Sequence, residues 1–111
     1  MTNASLALQA LGDPTRREIF EHIVKRPLAV VDLADKLPVS RPAVSQHLKI
    51  LKKAGLVLVR SQGTRNLYHV NPKGVEMIRK YLDHLWDNAL VSFKSFVELE
   101  ESGRKKGERN V

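Results

Sequence analysis

Apolar residues recur along most of this chain at the three-and-four spacing of helices, and in one stretch the pattern becomes that of strands. Residues 4–11 read as a short helix with Leu8 and Leu11 on one face, ended by Gly12. Asp13-Pro14 restarts the chain: Asp13 is a good N-cap, and Pro14 falls at the first helical position, where its missing N–H costs nothing. Ile19, Phe20, Ile23 and Val24 follow at helical spacing and are expected to form a buried face. Lys25 and Arg26 suit the negative end of the helix dipole, and Pro27 stops the helix. Val30 to Leu37 reads as a third, short helix with Leu33, Ala34 and Leu37 inward; Ala29 ahead of it is a poor cap. After a turn at Pro38-Val39, Ser40 caps a fourth helix that runs to Ala54, with Pro42 in its first turn. Val44, Leu48 and Leu51, spaced i, i+4, i+7, mark its core face, and Gly55 is the expected residue just past its end.

Beyond Gly55 the period changes. Leu56-Val57-Leu58-Val59 is a β-branched-rich strand, Ser61-Gln62-Gly63-Thr64 a turn, and Leu67-Tyr68-His69-Val70 a second strand, together a hairpin. Asn71-Pro72 repeats the cap-then-proline signal and opens a long helix. Its apolar positions, among them Val75, Ile78, Leu82, Leu85, Trp86, Ala89, Phe93, Phe96 and Val97, form one continuous stripe. Two short helices joined by a tight turn and followed by a basic hairpin describe a winged helix-turn-helix. The fold class is therefore mostly α with a small β-hairpin: four helices, the hairpin and a fifth helix. Residues 1–101 are expected to form one domain, and residues 102–111 (SGRKKGERNV) a disordered basic tail.

The 111 residues suit a single domain. A domain of this size buries only about two-thirds of its unfolded surface, so a dimer interface would add needed stability. The absence of cysteine excludes disulfides and thiolate metal sites and fits a reducing cytoplasm. No segment has the ~20 apolar residues of a membrane span, and Met1 to Gly12 has neither the charged start nor the apolar run of a signal peptide.

Charge sharpens the picture through its distribution. The net charge is +7, but between Asp35 and Glu76 there is no acidic residue, while Lys36, Arg41, Lys49, Lys52, Lys53, Arg60, Arg65 and Lys73 all lie there. A one-sign field over a contiguous helix-turn-helix and hairpin is what a polyanion site requires. Opposite its core face, the fourth helix carries Arg41, Pro42, Ser45, Gln46 and Lys49, with 41, 45 and 49 in line at i, i+4, i+8. Gln46 can pair bidentately with an adenine edge and Arg41 with guanine O6 and N7, and Ser45 is short enough to let the backbone approach the bases. His47 and Lys49, at the margin, suit phosphates. Arg41 opposes the dipole of the helix it opens, so it is a poor choice for helix stability alone. The hairpin tip offers Arg60, Gln62, Arg65 and Asn66 around Gly63 as a wing that reaches a minor groove or phosphates. Thr15, Arg16 and Arg17 at the start of the second helix can serve either a phosphate or internal pairs.

The runs LGDPTRREIFEHI (residues 11–23) and VSRPAVSQHLKILKKAGLVLVRSQGTRNLYHVNP (residues 39–72) carry a resemblance to a known family. DPTR, the pattern S-x-P-x-V-S-x-H-L-x-x-L-x-x-A-G-L-V and the wing pattern G-x-x-x-x-Y together resemble the ArsR/SmtB family of bacterial repressors, over about residues 5–97. The resemblance implies a homodimeric winged helix that represses transcription by binding operator DNA, with its first and last helices forming the interface. Leu8, Leu11, Leu82, Leu85, Trp86, Ala89, Phe93 and Phe96 are the candidate interface residues. An apolar stripe that a small domain would otherwise expose agrees with this.

The chain departs from the family where many members sense metals through a motif of the form ELCVCDL. Here residues 27–33 read PLAVVDL, with Ala29 and Val31 in place of the two thiolates. A second site that the family builds from carboxylates and histidines on its last helix is reduced to Asp83, His84 and Asp87, and the His84–Asp87 pair supplies two ligands where zinc takes three or four. No cofactor and no metal are expected. His22, His47, His69 and His84 have no nucleophile or carboxylate pair in a recognisable arrangement, and there is no glycine-rich phosphate loop, so the sequence does not suggest an enzyme. The alternatives are a winged-helix protein-interaction module without DNA binding, or a ligand- or metal-responsive member of the same family with a non-cysteine site.

Overall fold

The computed structural model describes residues 3–110, with side chains for residues 3–103. The element order is α1 (Asn3–Gly12), α2 (Pro14–Lys25), α3 (Val30–Lys36), α4 (Arg41–Lys53), β1 (Val57–Gln62), β2 (Arg65–Val70) and α5 (Pro72–Asn110). Two compact units divide the chain, one up to Arg79 and one from Lys80 onward. The first holds the four helices, the hairpin and the opening of α5; the second is the remainder of α5.

In the first unit Ile19, Ile23, Leu33, Val44, Leu48, Leu51, Leu56 and Val57 are sealed from solvent in one cluster. α1 meets it through Ala4, Ala7 and Ala10, whose small side chains let the helix lie close, while Leu8 and Leu11 are half-buried. α2 begins as its sequence demands: an Asp13 carboxylate oxygen accepts the Arg16 backbone N–H at 2.9 Å. Ile19 and Ile23 are its buried residues, and Phe20 packs at the margin. Val24 does not belong to the buried face as expected; it is 57% exposed. It lies on the Phe20 row, which flanks the core, and the chain turns away two residues later.

The weak start of α3 is repaired from inside the helix. Asp32, at the third helical position, turns back so that its Oδ2 accepts the Ala29 N–H at 3.0 Å, which does the work a capping side chain at 29 would do. Leu37 is the buried C-cap of α3 and not its last helical residue, because Pro38 disfavours helical backbone in the residue before it.

The hairpin is longer than its apolar residues suggest. β1 and β2 pair antiparallel from Val57↔Val70 to Gln62↔Arg65, so Ser61 and Gln62 are strand residues and only Gly63-Thr64 turns. Gly63 has φ of +63° and Thr64 does not share a positive φ, the requirement of a type II′ turn with glycine at its first central position. A further pairing has no signal in the local sequence. Leu28 exchanges backbone hydrogen bonds with Tyr68, at 3.2 and 2.9 Å, and adds a one-residue third strand just ahead of α3.

Asn71 caps α5, its Oδ1 accepting the Lys73 N–H at 3.2 Å. Gly74, one turn in, is buried against the end of α4, and a Cβ there would sit 1.9 Å from the Gly55 carbonyl oxygen. The glycine is therefore a packing requirement for this helix–turn contact.

The second unit is a single helix and cannot enclose an apolar face. Leu82 is half-buried, while Leu85, Trp86, Ala89, Phe93 and Phe96 are exposed, joined by Leu90, Val91 and Leu99. α5 continues to Asn110, through the stretch from 102 expected to be a disordered tail. The Arg and Lys residues between Gly103 and Gly107 are good helix formers, and no proline follows Pro72. The tail side chains from 104 onward lie outside the described residues. Among the described residues no helix is long and apolar enough to cross a membrane.

Candidate nucleic-acid interface

The site is built on α4, which is pinned at both ends and along one face. At its start Ser40 is extended and its Oγ accepts the Ala43 N–H at 3.2 Å, with Pro42 in the first turn. At its end the Leu56 N–H reaches the Leu51 carbonyl and the Gly55 N–H the Lys52 carbonyl, both at 3.0 Å. Gly55 stands at φ of +80°. That double bond with a left-handed glycine is the Schellman motif, and it sends the chain directly into β1. Along the core face Val44, Leu48 and Leu51 have no exposed surface. The opposite face is thereby fixed in orientation. Ser40, Arg41, Pro42, Ser45, Gln46 and Lys49 are all exposed on it.

This is a surface of hydroxyl, amide and cationic groups on a helix with no acidic residue. Such a helix is narrow enough for a major groove; the Gln46 amide has the donor and acceptor that complement an adenine edge, and Arg41 has the paired donors that complement guanine O6 and N7. Lys49 can meet phosphate from the same side.

His47 is placed differently from its neighbours. It is half-buried, and its Nδ1 is buried with no hydrogen-bond partner. It lies near Asp13 at the start of α2. The carboxyl of Asp13 is held below its ordinary value chiefly by the Arg16 backbone N–H, with the charges of Arg16 and His47 adding to it. His47 is thus half-buried beside the start of α2, at the margin of the outward surface.

In the wing, Arg60 and Gln62 are exposed on β1. Arg65 is engaged: its Nη2 donates to Asp32 Oδ2 at 2.5 Å, in an ion pair with the side chain that caps α3. Asn66 faces Ser61 across the strands, with their side-chain oxygens 3.1 Å apart. The arginines of α2 also have internal partners. Arg16 Nη1 donates to the Ala10 carbonyl at 3.2 Å and Arg17 Nη1 to the Leu11 carbonyl at 3.4 Å. They satisfy the last carbonyls of α1, which have no partner within their own helix, and so fill the internal one of the two roles open to them.

Sequence reasoning singled out the exposed α4 residues and the exposed wing residues. It missed Asp32, although an acid three residues after a position that cannot cap is the signal for a cap supplied from inside the helix. Among the described residues no group of three or more histidine, aspartate or glutamate side chains is assembled as a metal site.

Comparison with known proteins places this geometry. A model described as a helix-turn-helix domain matches residues 11–60. The chain is 51% identical over 94 residues to an HTH-type transcriptional regulator of Mycobacterium tuberculosis, covering 85% of this chain and 88% of that protein. It is 33% identical over 79 residues to an arsenical resistance operon repressor of Staphylococcus xylosus, covering 71% and 76%. Among solved structures, an ArsR-like transcriptional regulator from a Rhodococcus species superposes with a TM-score of 0.72 at 29% identity, over 85% of this chain and 92% of that one. The solution structure of a homodimeric winged helix-turn-helix DNA-binding domain from Mycobacterium bovis superposes with a TM-score of 0.63 at 25% identity, over 77% and 79%. The helices and the two-stranded wing thus superpose on an architecture shared with known regulators, and the chain belongs to the ArsR/SmtB family of winged helix-turn-helix transcriptional regulators.

Proposed function

We propose that the protein is a homodimeric, sequence-specific DNA-binding repressor that places the outward face of α4 in the major groove and the wing beside it. The observation that carries this reading is the division of α4. Val44, Leu48 and Leu51 are fully enclosed, so Arg41, Ser45, Gln46 and Lys49 are held outward on a rigid helix inside an acid-free stretch. Repression and the two-fold assembly are carried over from relatives, one named an operon repressor and one solved as a homodimer. The exposed apolar side chains of α5 support the assembly, because a second copy would cover them. Two subunits would set two α4 helices on successive turns of one duplex face. The role is binding, with no catalytic step, in the cytoplasm where the chromosome lies.

Salt titration of duplex binding tests the reading. If the dimer neutralises about eight phosphates, log K falls against log salt with a slope near about −7. A chain that binds no duplex even at low salt is instead a protein-interaction module.

A further inference from the structure

We propose that Asp32 is a positioning residue for the wing: its ion pair with Arg65 orients that side chain toward the start of α3, and Arg65 is thereby withdrawn from the set of cations that grip DNA. The inference rests on the DNA-binding reading above and changes what the wing contributes to it. On sequence alone Arg65 and Arg60 are equivalent, two arginines flanking a hairpin tip. The structure makes them different.

Two separate attachments hold β2 against the segment that leads into α3. One is backbone: Leu28 and Tyr68 exchange N–H to carbonyl bonds in both directions, at 3.2 and 2.9 Å. The other is the side-chain pair, Arg65 Nη2 to Asp32 Oδ2 at 2.5 Å. The acceptor oxygen is itself immobilised, because it also takes the Ala29 N–H at 3.0 Å. Asp32 is therefore a fixed point on the helix-turn-helix, and Arg65 ties the strand that carries the wing to that point. The carboxyl is held below its ordinary value, first by the Ala29 N–H and then by the charge and hydrogen bond of Arg65, so it is an anion at neutral pH. Arg60 makes no ion pair among the described residues and stands exposed on β1.

The consequence for binding follows from charge. A cation releases a counterion from DNA when it comes free to a phosphate. Arg65 arrives already neutralised. Moving it to a phosphate would exchange one ion pair for another and leave an ionised carboxylate uncompensated beside a polyanion. Exposed pairs of this kind contribute little to stability. The effect belongs in the salt dependence of binding, where a structural role alone would leave no trace.

The test is the salt slope of duplex binding for the full chain and its variants. Arg65→Ala is expected to keep the slope of the unaltered protein, and Arg65→Gln the same, whatever either does to affinity. Arg60→Ala is expected to flatten it by about 0.9 per protomer. Asp32→Asn keeps an oxygen for the Ala29 N–H but drops the charge, and is expected to steepen the slope by up to about 0.9 per protomer as Arg65 becomes available. Adding Arg65→Ala to Asp32→Asn should return the slope to that of the unaltered chain. Thermal melts establish that each variant is folded. An Arg65→Ala slope as flat as that of Arg60→Ala, or an Asp32→Asn slope no steeper than the unaltered one, overturns the inference and leaves the DNA-binding reading intact. Failure of the unaltered chain to bind duplex overturns both.

Discussion

α4 and the outer part of α5 are both amphipathic helices, and their apolar faces have opposite fates. In α4 the stripe of Val44, Leu48 and Leu51 is wholly enclosed by the chain itself. In α5, beyond Arg79, Leu85 is 50% exposed, and Trp86 and Phe93 are each 64% exposed. An apolar face that is satisfied internally leaves the polar face free to act on a ligand. One that is not satisfied calls for another molecule, since folded monomers seldom leave so much contiguous apolar surface in water. On the proposed function, the difference divides labour along the chain: α4 reads and α5 pairs.

The division can be broken most sharply at α5. Phe93→Glu or Leu85→Glu should give monomers by analytical ultracentrifugation. Operator affinity should fall by ~10²–10⁴-fold, because the second half-site contact loses its effective concentration. Breaking the enclosed stripe has a different signature. Leu48→Ala should cost about 2–5 kcal/mol in urea unfolding, since it leaves a cavity in a sealed core. Gly74→Ala probes the same region from outside α4. Its methyl group has no room against the Gly55 carbonyl, so the contact must open, at about 1–3 kcal/mol. Ser40→Ala removes the hydroxyl that accepts the Ala43 N–H and should cost ~1 kcal/mol without altering oligomeric state.

The smallest expected effect is on acid stability. The Asp13 and Asp32 carboxyls are both held below their ordinary value of 3.8, so their contribution to stability is complete above that pH. It is lost as pH falls from there through the lowered values of the folded state. Melting temperature followed from pH 6 downward should therefore fall less in the Asp13→Asn and Asp32→Asn variants than in the unaltered chain.

Much of this architecture is legible in the sequence because its signals are local. Asp13-Pro14, Ser40 and Asn71-Pro72 each mark a helix start within two residues, and Gly55 marks the change of period from helix to strand. The outward face of α4 follows from the spacing of Val44, Leu48 and Leu51, which fixes what lies opposite. What the sequence hides is non-local or depends on a competing partner. The Leu28–Tyr68 pairing joins single residues forty positions apart in the chain, with no strand pattern at Leu28 to announce it. The Asp32–Arg65 pair spans 33 positions, and nothing near Arg65 distinguishes it from Arg60. Ser61 and Gln62 look like turn residues, yet they are strand because Gly63 alone supplies the positive φ the turn needs. The half-burial of His47, with its Nδ1 enclosed, depends on its approach to α2 and has no local signal.

The central claim is that the outward face of α4 reads base sequence. The most direct measurement is the affinity of Gln46→Ala and Lys49→Ala across an operator and a panel of single base-pair substitutions. Gln46→Ala should lose about 1–3 kcal/mol of discrimination at one base pair and leave the others unchanged, while Lys49→Ala should weaken binding to every sequence alike. If both variants act uniformly across the panel, α4 does not lie in the major groove as described.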